Sequence, residues 1–155
     1  MVDFLVIGPV SAITYKDIFP LIKDCNVSFG WNRVVEFEDG VKFGNIRWFS
    51  NISDYCPPKL ELKKQYNEVD YHRFDNYDCI NINRTEDIPK DYPGMMGVPI
   101  TFLEKWNPEQ FDIVGFLNNG CRLDENGLQG NNGIQMTLVG GVCKYFRILI
   151  KKKIS

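Results

Sequence analysis

The chain has 155 residues, of which 44% are hydrophobic and 14% aromatic, and a formal net charge of −2. This composition excludes general disorder and is sufficient for one buried core. The near-neutral charge does not by itself indicate a nucleic-acid-binding protein, although such a protein can carry a local basic strip on a neutral body. Because no apolar run reaches the roughly 20 residues of a membrane span and no signal peptide is recognisable, the sequence predicts a soluble, cytoplasmic protein.

The opening segment, Asp3 to Lys23, predicts a strand, a turn and a helix. Phe4 to Ile7 form a continuous apolar run, which is typical of a strand covered on both faces inside a parallel sheet. Gly8-Pro9 should end that strand, since proline has no N–H for a ladder and glycine accepts turn dihedrals. Thr14 is the expected N-cap of the helix. Pro20 should keep this helix short or kinked.

A hairpin is predicted next, because Asp39-Gly40 separates two strand-like segments, Val34 to Phe37 and Val41 to Phe49. One face of the second arm should be core and the other partly available. The stretch Asn51 to Pro99 has no regular periodicity and predicts a meandering excursion with short edge strands.

The C-terminal third predicts regular structure on both sides of a long loop. A helix is expected from Thr101, with Glu104 completing a capping box, and a strand from Phe111 to Leu117. The loop Asn118 to Gly133 is of a length that is usually functional or mobile. Ile134 to Ile150 then predict a second hairpin around Gly140-Gly141.

The residue types offer no recognisable catalytic or metal centre. Five cysteines occur without a C-x-x-C pair and His72 is the only histidine, so free thiols in a reducing compartment are expected. No glycine-rich phosphate-binding motif occurs, and spacing pairs no two carboxylates for acid–base chemistry. These features alone predict an α/β or α+β domain and do not indicate its function.

Longer phrases are more informative. The sequence contains, in this order, AITYKDIFPLIK, GNIRWFSN, FDNYDCINI, DIPKDYPGMMGVPITFLEKWNPEQFDIVG and YFRILIK. In order and spacing they resemble the C-terminal half of the EcoRI-type adenine-specific DNA methyltransferases of restriction-modification systems. The resemblance implies methyl transfer from S-adenosylmethionine to the exocyclic amine of an adenine in duplex DNA, with the target base flipped out of the stack.

Two elements that the resemblance implies are missing from the sequence. The family holds the target amine with an Asn-Pro-Pro-Phe type loop, whereas Asn107-Pro108 is followed by Glu109 and is interpreted as a cap. The family's glycine-rich cofactor turn is also absent, so no catalytic, cofactor-binding or metal-binding residue is assigned. The opening turn departs from the family's asparagine-rich pattern and keeps Gly8 and Ser11 as candidate contacts.

The predicted fold class is α/β: a partial Rossmann-like methyltransferase sheet, made of its late strands, with a β-rich C-terminal extension. Residues 1–52 should form the late strands and helix, and residues 53–155 the extension, a target-recognition region packed with the first part as one unit. The chain's own hairpins, a second copy of the chain or an upstream polypeptide should cover the opening strand. An exposed edge at Phe4 to Ile7 would favour the missing polypeptide.

Three functions fit these sequence features. The chain is expected to be the C-terminal portion of an adenine-specific DNA methyltransferase, inactive alone; the alternatives are a non-catalytic DNA-binding or partner-binding module, and a decayed gene fragment. S-adenosylmethionine and duplex DNA are the cofactor and partner that the family implies. Candidate DNA contacts come from a strand, a turn and the last strand: Asn45, Arg47, Trp48, Phe49, Gly94, Gly97, Lys144, Arg147 and Lys151.

Overall fold

A computed structural model describes residues 2–33, 36–42, 44–52, 56–75, 77–117, 138–144 and 146–153, without the side chains of 30–33 and 143. The chain divides into two compact units, Met1–Pro57 and Pro58–Ser155. The boundary predicted from the sequence, between 52 and 53, lies slightly earlier, and the target-recognition role of the second part stays a prediction. Among the described residues, no helix is long and apolar enough to cross a membrane. The predicted loop Asn118 to Gly133 lies outside the described residues.

The first unit is a three-stranded antiparallel sheet with two short helices. Its strands are β1 (Leu5–Pro9), β2 (Ser28–Arg33) and β3 (Ile46–Ser50), in the spatial order β1-β3-β2. A 3₁₀ helix, Val10–Thr14, and helix α1, Phe19–Lys23, follow β1. The buried side chains of this unit are Val10, Ile13, Phe19, Ile22, Val27, Phe29, Arg47, Phe49 and Ser50.

Strand β1 corrects the expectation of a strand covered on both faces in a parallel sheet. It is an edge strand that pairs antiparallel with β3, from Leu5 opposite Ser50 to Pro9 opposite Ile46. The side chains of Leu5, Val6 and Ile7 are 50%, 49% and 41% exposed. A continuous apolar run indicates that both faces should avoid water, but it does not say which residues cover them. In this structure each of the three keeps about half of its surface exposed.

The helix after β1 begins later than the sequence predicts. Thr14 ends the 3₁₀ helix, and its Oγ1 donates to the Ser11 carbonyl at 2.7 Å instead of capping α1. Helix α1 begins at Phe19, with Pro20 in its first turn, where a missing N–H costs little. The helix has five residues and is short, as predicted. The hairpin turn is also confirmed: Gly40 has φ +78° and Glu36 pairs with Lys42 across it.

The second unit contains a mixed four-stranded sheet. Its strands are β4 (Ile80–Asn81), β5 (Met96–Pro99), β6 (Phe111–Leu117) and β9 (Arg147–Lys152), in the order β4-β5-β9-β6. Strands β4 and β5 are parallel and the other pairs antiparallel. Two 3₁₀ helices, Thr85–Asp87 and Ile100–Lys105, connect them. The predicted Thr101 capping box does not form: Pro99 precedes the second 3₁₀ helix as its N-cap, without a side-chain cap.

The core of the second unit lies against this sheet. It is formed by apolar side chains of the four strands and their connections, among them Phe74, Cys79, Ile80, Ile82, Ile88, Met96, Val98, Phe102, Phe111, Leu117, Ile148, Leu149 and Ile150. Burial raises the pKa of the Cys79 thiol to about 12, which makes it a structural and unreactive cysteine. The structure shows an antiparallel and a mixed sheet with few helices, consistent with part of an α/β methyltransferase fold.

A carboxylate fastens the small hairpin of strands β7 (Leu138–Val139) and β8 (Val142–Cys143) to the preceding chain. Asp75 accepts the backbone N–H groups of Gly140 at 2.9 Å and Gly141 at 2.6 Å. Both glycines have positive φ, so the turn needs residues without a Cβ penalty. These two hydrogen bonds hold the pKa of Asp75 below its usual value.

We expect Asp75→Asn to destabilise this attachment at neutral pH and to reduce the acid sensitivity of the chain. A carboxyl group whose pKa is lowered by folding adds stability above its unfolded pKa, 3.8, and loses this contribution as pH falls through the folded value. Urea midpoints at pH 7 and pH 3 measure both effects. Asp17→Asn is the control, because Asp17 is exposed and makes no side-chain hydrogen bond within the described residues. Equal midpoints for both variants at pH 7 would contradict the prediction.

Candidate nucleic-acid interface

The segment GNIRWFSN, which contains strand β3, presents less polar surface than its sequence suggests. Arg47 is 3% exposed, and its Nη1 donates to the carbonyls of Ile46 at 2.9 Å and Gly44 at 3.5 Å. Phe49 is also buried and packs on Phe29 with ring centroids 5.1 Å apart. The core face of this strand is therefore the one that carries Arg47 and Phe49.

The other two candidates in this segment are more exposed than Arg47 and Phe49. Asn45 is exposed and Trp48 is half-buried. Only these two of the four strand candidates offer substantial side-chain surface to a ligand. Contact with DNA stays a prediction for all four.

Two glycines singled out for a close approach to DNA are explained by internal packing. A Cβ at Gly94 would meet the Tyr92 ring at 2.7 Å. A Cβ at Gly97, which is buried in β5, would meet the Phe74 ring at 2.7 Å and Arg147 Cβ at 3.5 Å. Both positions therefore make room for neighbours in the same chain.

We expect Gly97→Ala to destabilise the chain by about 1–3 kcal/mol, since the Phe74 ring is buried and cannot move aside without repacking. Gly44→Ala is the matched control, because a Cβ there meets nothing within 4 Å and the position has no positive φ. Free energies of unfolding from urea titrations compare the two. A Gly97→Ala variant as stable as the control would show that the Phe74 contact is not limiting.

The basic residues of the last strand also divide by burial. Arg147 is 8% exposed, and its Nε donates to Asn81 Oδ1 at 3.1 Å while its Nη1 donates to the Phe146 carbonyl at 3.3 Å. Burial lowers the pKa of Arg147. Lys144, predicted on the last strand, lies before β9 and is half-buried. Lys151 is exposed opposite Asp112 on β6. Lys151 is therefore the member of this group best placed to meet a phosphate.

The remaining motifs have structural roles. Asn107 caps a turn, as predicted: its Oδ1 accepts the Glu109 N–H at 2.8 Å, and its carbonyl accepts the N–H groups of Gln110 and Phe111. In the opening turn, a Cβ at Gly8 would lie 3.1 Å from the Phe49 ring, and Ser11 is exposed. The space beside Gly8 is therefore taken by Phe49 and is not a glycine cradle of the kind that holds S-adenosylmethionine. None of the described residues forms a cluster able to hold a metal ion.

Sequence reasoning missed a polar cleft of about 490 Å³ in the second unit. It is lined by carboxamide, carboxylate, amine and phenol groups together with one isoleucine: Lys64, Gln65, Asn67, Asp70, Tyr71, Asn81, Ile82, Asn83 and Asp87. Lys64 Nζ lies 2.6 Å from Asp87 Oδ1, and this hydrogen bond raises the pKa of Lys64. Only the alternation of isoleucine and asparagine at 80–83, three residues of which line the cleft, marked this place in the sequence.

Comparisons with known proteins agree with the linear resemblance. The family model described as "Adenine-specific methyltransferase EcoRI" matches residues 31–153. The chain is 38% identical over 179 aligned positions to the Type II methyltransferase M.EcoRI of Escherichia coli, covering 97% of this chain and 50% of that protein. It is 33% identical to the Type II methyltransferase M.MgeORF184P of Mycoplasma genitalium and 32% identical to M.MpnI of Mycoplasma pneumoniae, with 97% of this chain and 57% of each relative covered.

The chain thus spans about half the length of the relatives it matches. No solved structure matches it.

Proposed function

The chain belongs to the EcoRI-type adenine-specific methyltransferase family, and from this premise we propose that it is the C-terminal portion of an S-adenosylmethionine-dependent enzyme that methylates adenine in duplex DNA. In this proposal the portion is inactive by itself, and it acts in the cytoplasm as part of a restriction-modification system. The free thiols of Cys25, Cys56 and Cys79 suit a reducing compartment.

The observation that carries the proposal is the open edge of β1. Three consecutive apolar side chains, Leu5 to Ile7, are each about half exposed on a strand that has β3 on one side only. An exposed apolar edge strand is a template for pairing with another strand, and a stable protein normally covers it. A further strand of the same methyltransferase sheet, supplied by the part of the family's length that this chain does not span, would cover it.

The chemistry is assigned to that other part. The Asn-Pro-Pro-Phe type loop and the glycine-rich cofactor turn of the family are absent from this sequence, and Asn107-Pro108 serves as a cap. The present chain then contributes late sheet strands and surface for duplex DNA. A flipped adenine and S-adenosylmethionine would meet on the complementing part.

A complementation assay tests this division of labour. The chain is mixed with the part of M.EcoRI that it does not match, an adenine-containing duplex and S-adenosylmethionine carrying a labelled methyl group. We expect label in the DNA only when both polypeptides are present. Methyl transfer by the chain alone would contradict the proposed inactivity, and absence of transfer together with absence of co-purification would contradict the proposed partner.

A second candidate function is a non-catalytic DNA-binding module derived from such an enzyme. The polar cleft favours it as a place for a base rather than for a phosphate, because the cleft is built wholly from residues of the second unit and needs no other chain. Filter binding of duplex DNA over a salt series tests this candidate. Binding with a steep salt slope but no complementation would support it, since phosphate contacts release counterions.

A further inference from the structure

The polar cleft of the second unit has the geometry of a preformed binding site. One wall is the segment 64–71, and the other is formed by the end of β4 with the 3₁₀ helix Thr85–Asp87. The Lys90 N–H donates to the Lys64 carbonyl at 2.9 Å, and the Tyr71 hydroxyl donates to the Asp87 carbonyl at 2.8 Å. These two hydrogen bonds join the two walls, so a ligand would meet groups that are already positioned.

The charges of the lining disfavour a phosphate inside the cleft. Its one lysine, Lys64, is paired with Asp87, and a second carboxylate, Asp70, accepts the Asn67 amide at 2.7 Å. Two carboxylates against one paired ammonium leave an environment that attracts hydrogen-bond donors and repels anions. A neutral group that carries N–H donors is therefore favoured over a phosphate.

The side-chain carboxamides of the lining indicate which neutral group fits the cleft. A carboxamide presents a donor and an acceptor side by side, which matches the N6 amine and N7 of adenine in a bidentate pair. Gln65 is exposed, and no described residue hydrogen-bonds its side chain. Asn83 is exposed too, and its Oδ1 accepts Asn81 Nδ2 at 3.0 Å, which leaves its own amide donor and a second lone pair for a ligand.

We propose that Gln65 and Asn83 bind the N6/N7 edge of an adenine in DNA, at a position other than the base that receives the methyl group. The inference rests on the proposed function and adds a base-reading site to it. Lys63 and Arg84 are both exposed and flank the cleft in the chain, and Lys63 pairs with Glu61 at 3.3 Å. Arg84 offers a cation for an adjoining phosphate, which positions the duplex while the carboxamides specify the base.

Selection from a duplex library with a randomised window tests the proposal on the full chain. We expect the chain to enrich adenine at one fixed position, and the double variant Gln65→Ala/Asn83→Ala to reduce that preference by roughly 5- to 150-fold, the range for one bidentate contact, with a smaller reduction for each single variant. Asn26→Ala is the control, because Asn26 is an exposed asparagine of the first unit.

The outcomes separate this inference from the proposed function. Binding without an adenine preference, or a preference that both alanine variants keep, overturns the adenine site and leaves the proposed function standing. Failure to retain any duplex at low salt overturns the adenine site, and together with failed complementation it overturns the proposed function as well.

Base analogues then identify how the adenine is presented. Replacing it by 7-deazaadenine removes the N7 acceptor and should weaken binding by a similar factor; unchanged affinity overturns the proposal. Removing the base opposite the adenine shows whether the adenine is bound extruded from the duplex or within its base pair. Tighter binding indicates an extruded adenine, whose unpairing cost has been removed, and equal or weaker binding indicates an adenine read within its base pair.

Discussion

Replacing Val6 by lysine should abolish complementation with the remaining part of the methyltransferase while leaving the fold of the chain intact. Val6 is 49% exposed at the centre of the open β1 edge, so an ammonium group there stays in water and should change the free energy of unfolding by no more than about 0.5 kcal/mol. In the complex, the complementing polypeptide would cover the sheet face that carries this side chain and bury the ammonium without a partner, at a cost of several kcal/mol. We therefore expect methyl transfer to fall by roughly 100-fold or more.

Val114→Lys is a closely matched control for this change. Val114 is 46% exposed and also lies on an edge strand, β6, but in the other unit. The assay is labelled methyl transfer with both polypeptides present, and urea unfolding of each variant alone measures stability. If the two lysine variants lose activity equally, or neither loses it, the β1 edge is not the docking surface.

Features decided by local chemistry could be predicted from the sequence. The Asp39-Gly40 turn, the Gly140-Gly141 turn and the Asn107 cap are confirmed, because each depends on the conformational freedom of glycine or on a side chain that bonds its own backbone. The helix caps expected at Thr14 and Thr101 are wrong, because neighbouring prolines and 3₁₀ geometry changed where each helix begins.

Features that depend on distant segments could not be read from spacing. The apolar run of β1 indicated that cover is needed but not which chain supplies it. Gly97 was interpreted as room for DNA, whereas Phe74, far from it in sequence, fills that space. The cleft was missed because Gln65 and Asn83 come from separate irregular segments that only the fold brings to one site.

The Asn81–Arg147 pair tests whether Arg147 has a structural role or contacts DNA. Asn81 is buried beside Arg147, and its Oδ1 accepts Arg147 Nε at 3.1 Å. Asn81→Ala should therefore destabilise the chain by about 1–3 kcal/mol, because a buried guanidinium loses an acceptor. Adding Arg147→Met should recover part of this loss, since methionine fills the space without a charge to satisfy. The pair should show a coupling energy in a double-mutant cycle of urea unfolding.

DNA binding by the same variants separates the two roles of the last strand. A residue that neutralises one phosphate lowers the salt slope of binding by about one when it is removed. We expect that reduction for Lys151→Ala, because Lys151 is exposed, and an unchanged slope for Arg147→Met, because Arg147 lies 8% exposed against Asn81. A reduced slope for Arg147→Met with no coupling to Asn81 would place its guanidinium on DNA instead. The burial of Arg147 next to a carboxamide acceptor favours the structural role. The salt series measures any contact of Arg147 with DNA independently of stability.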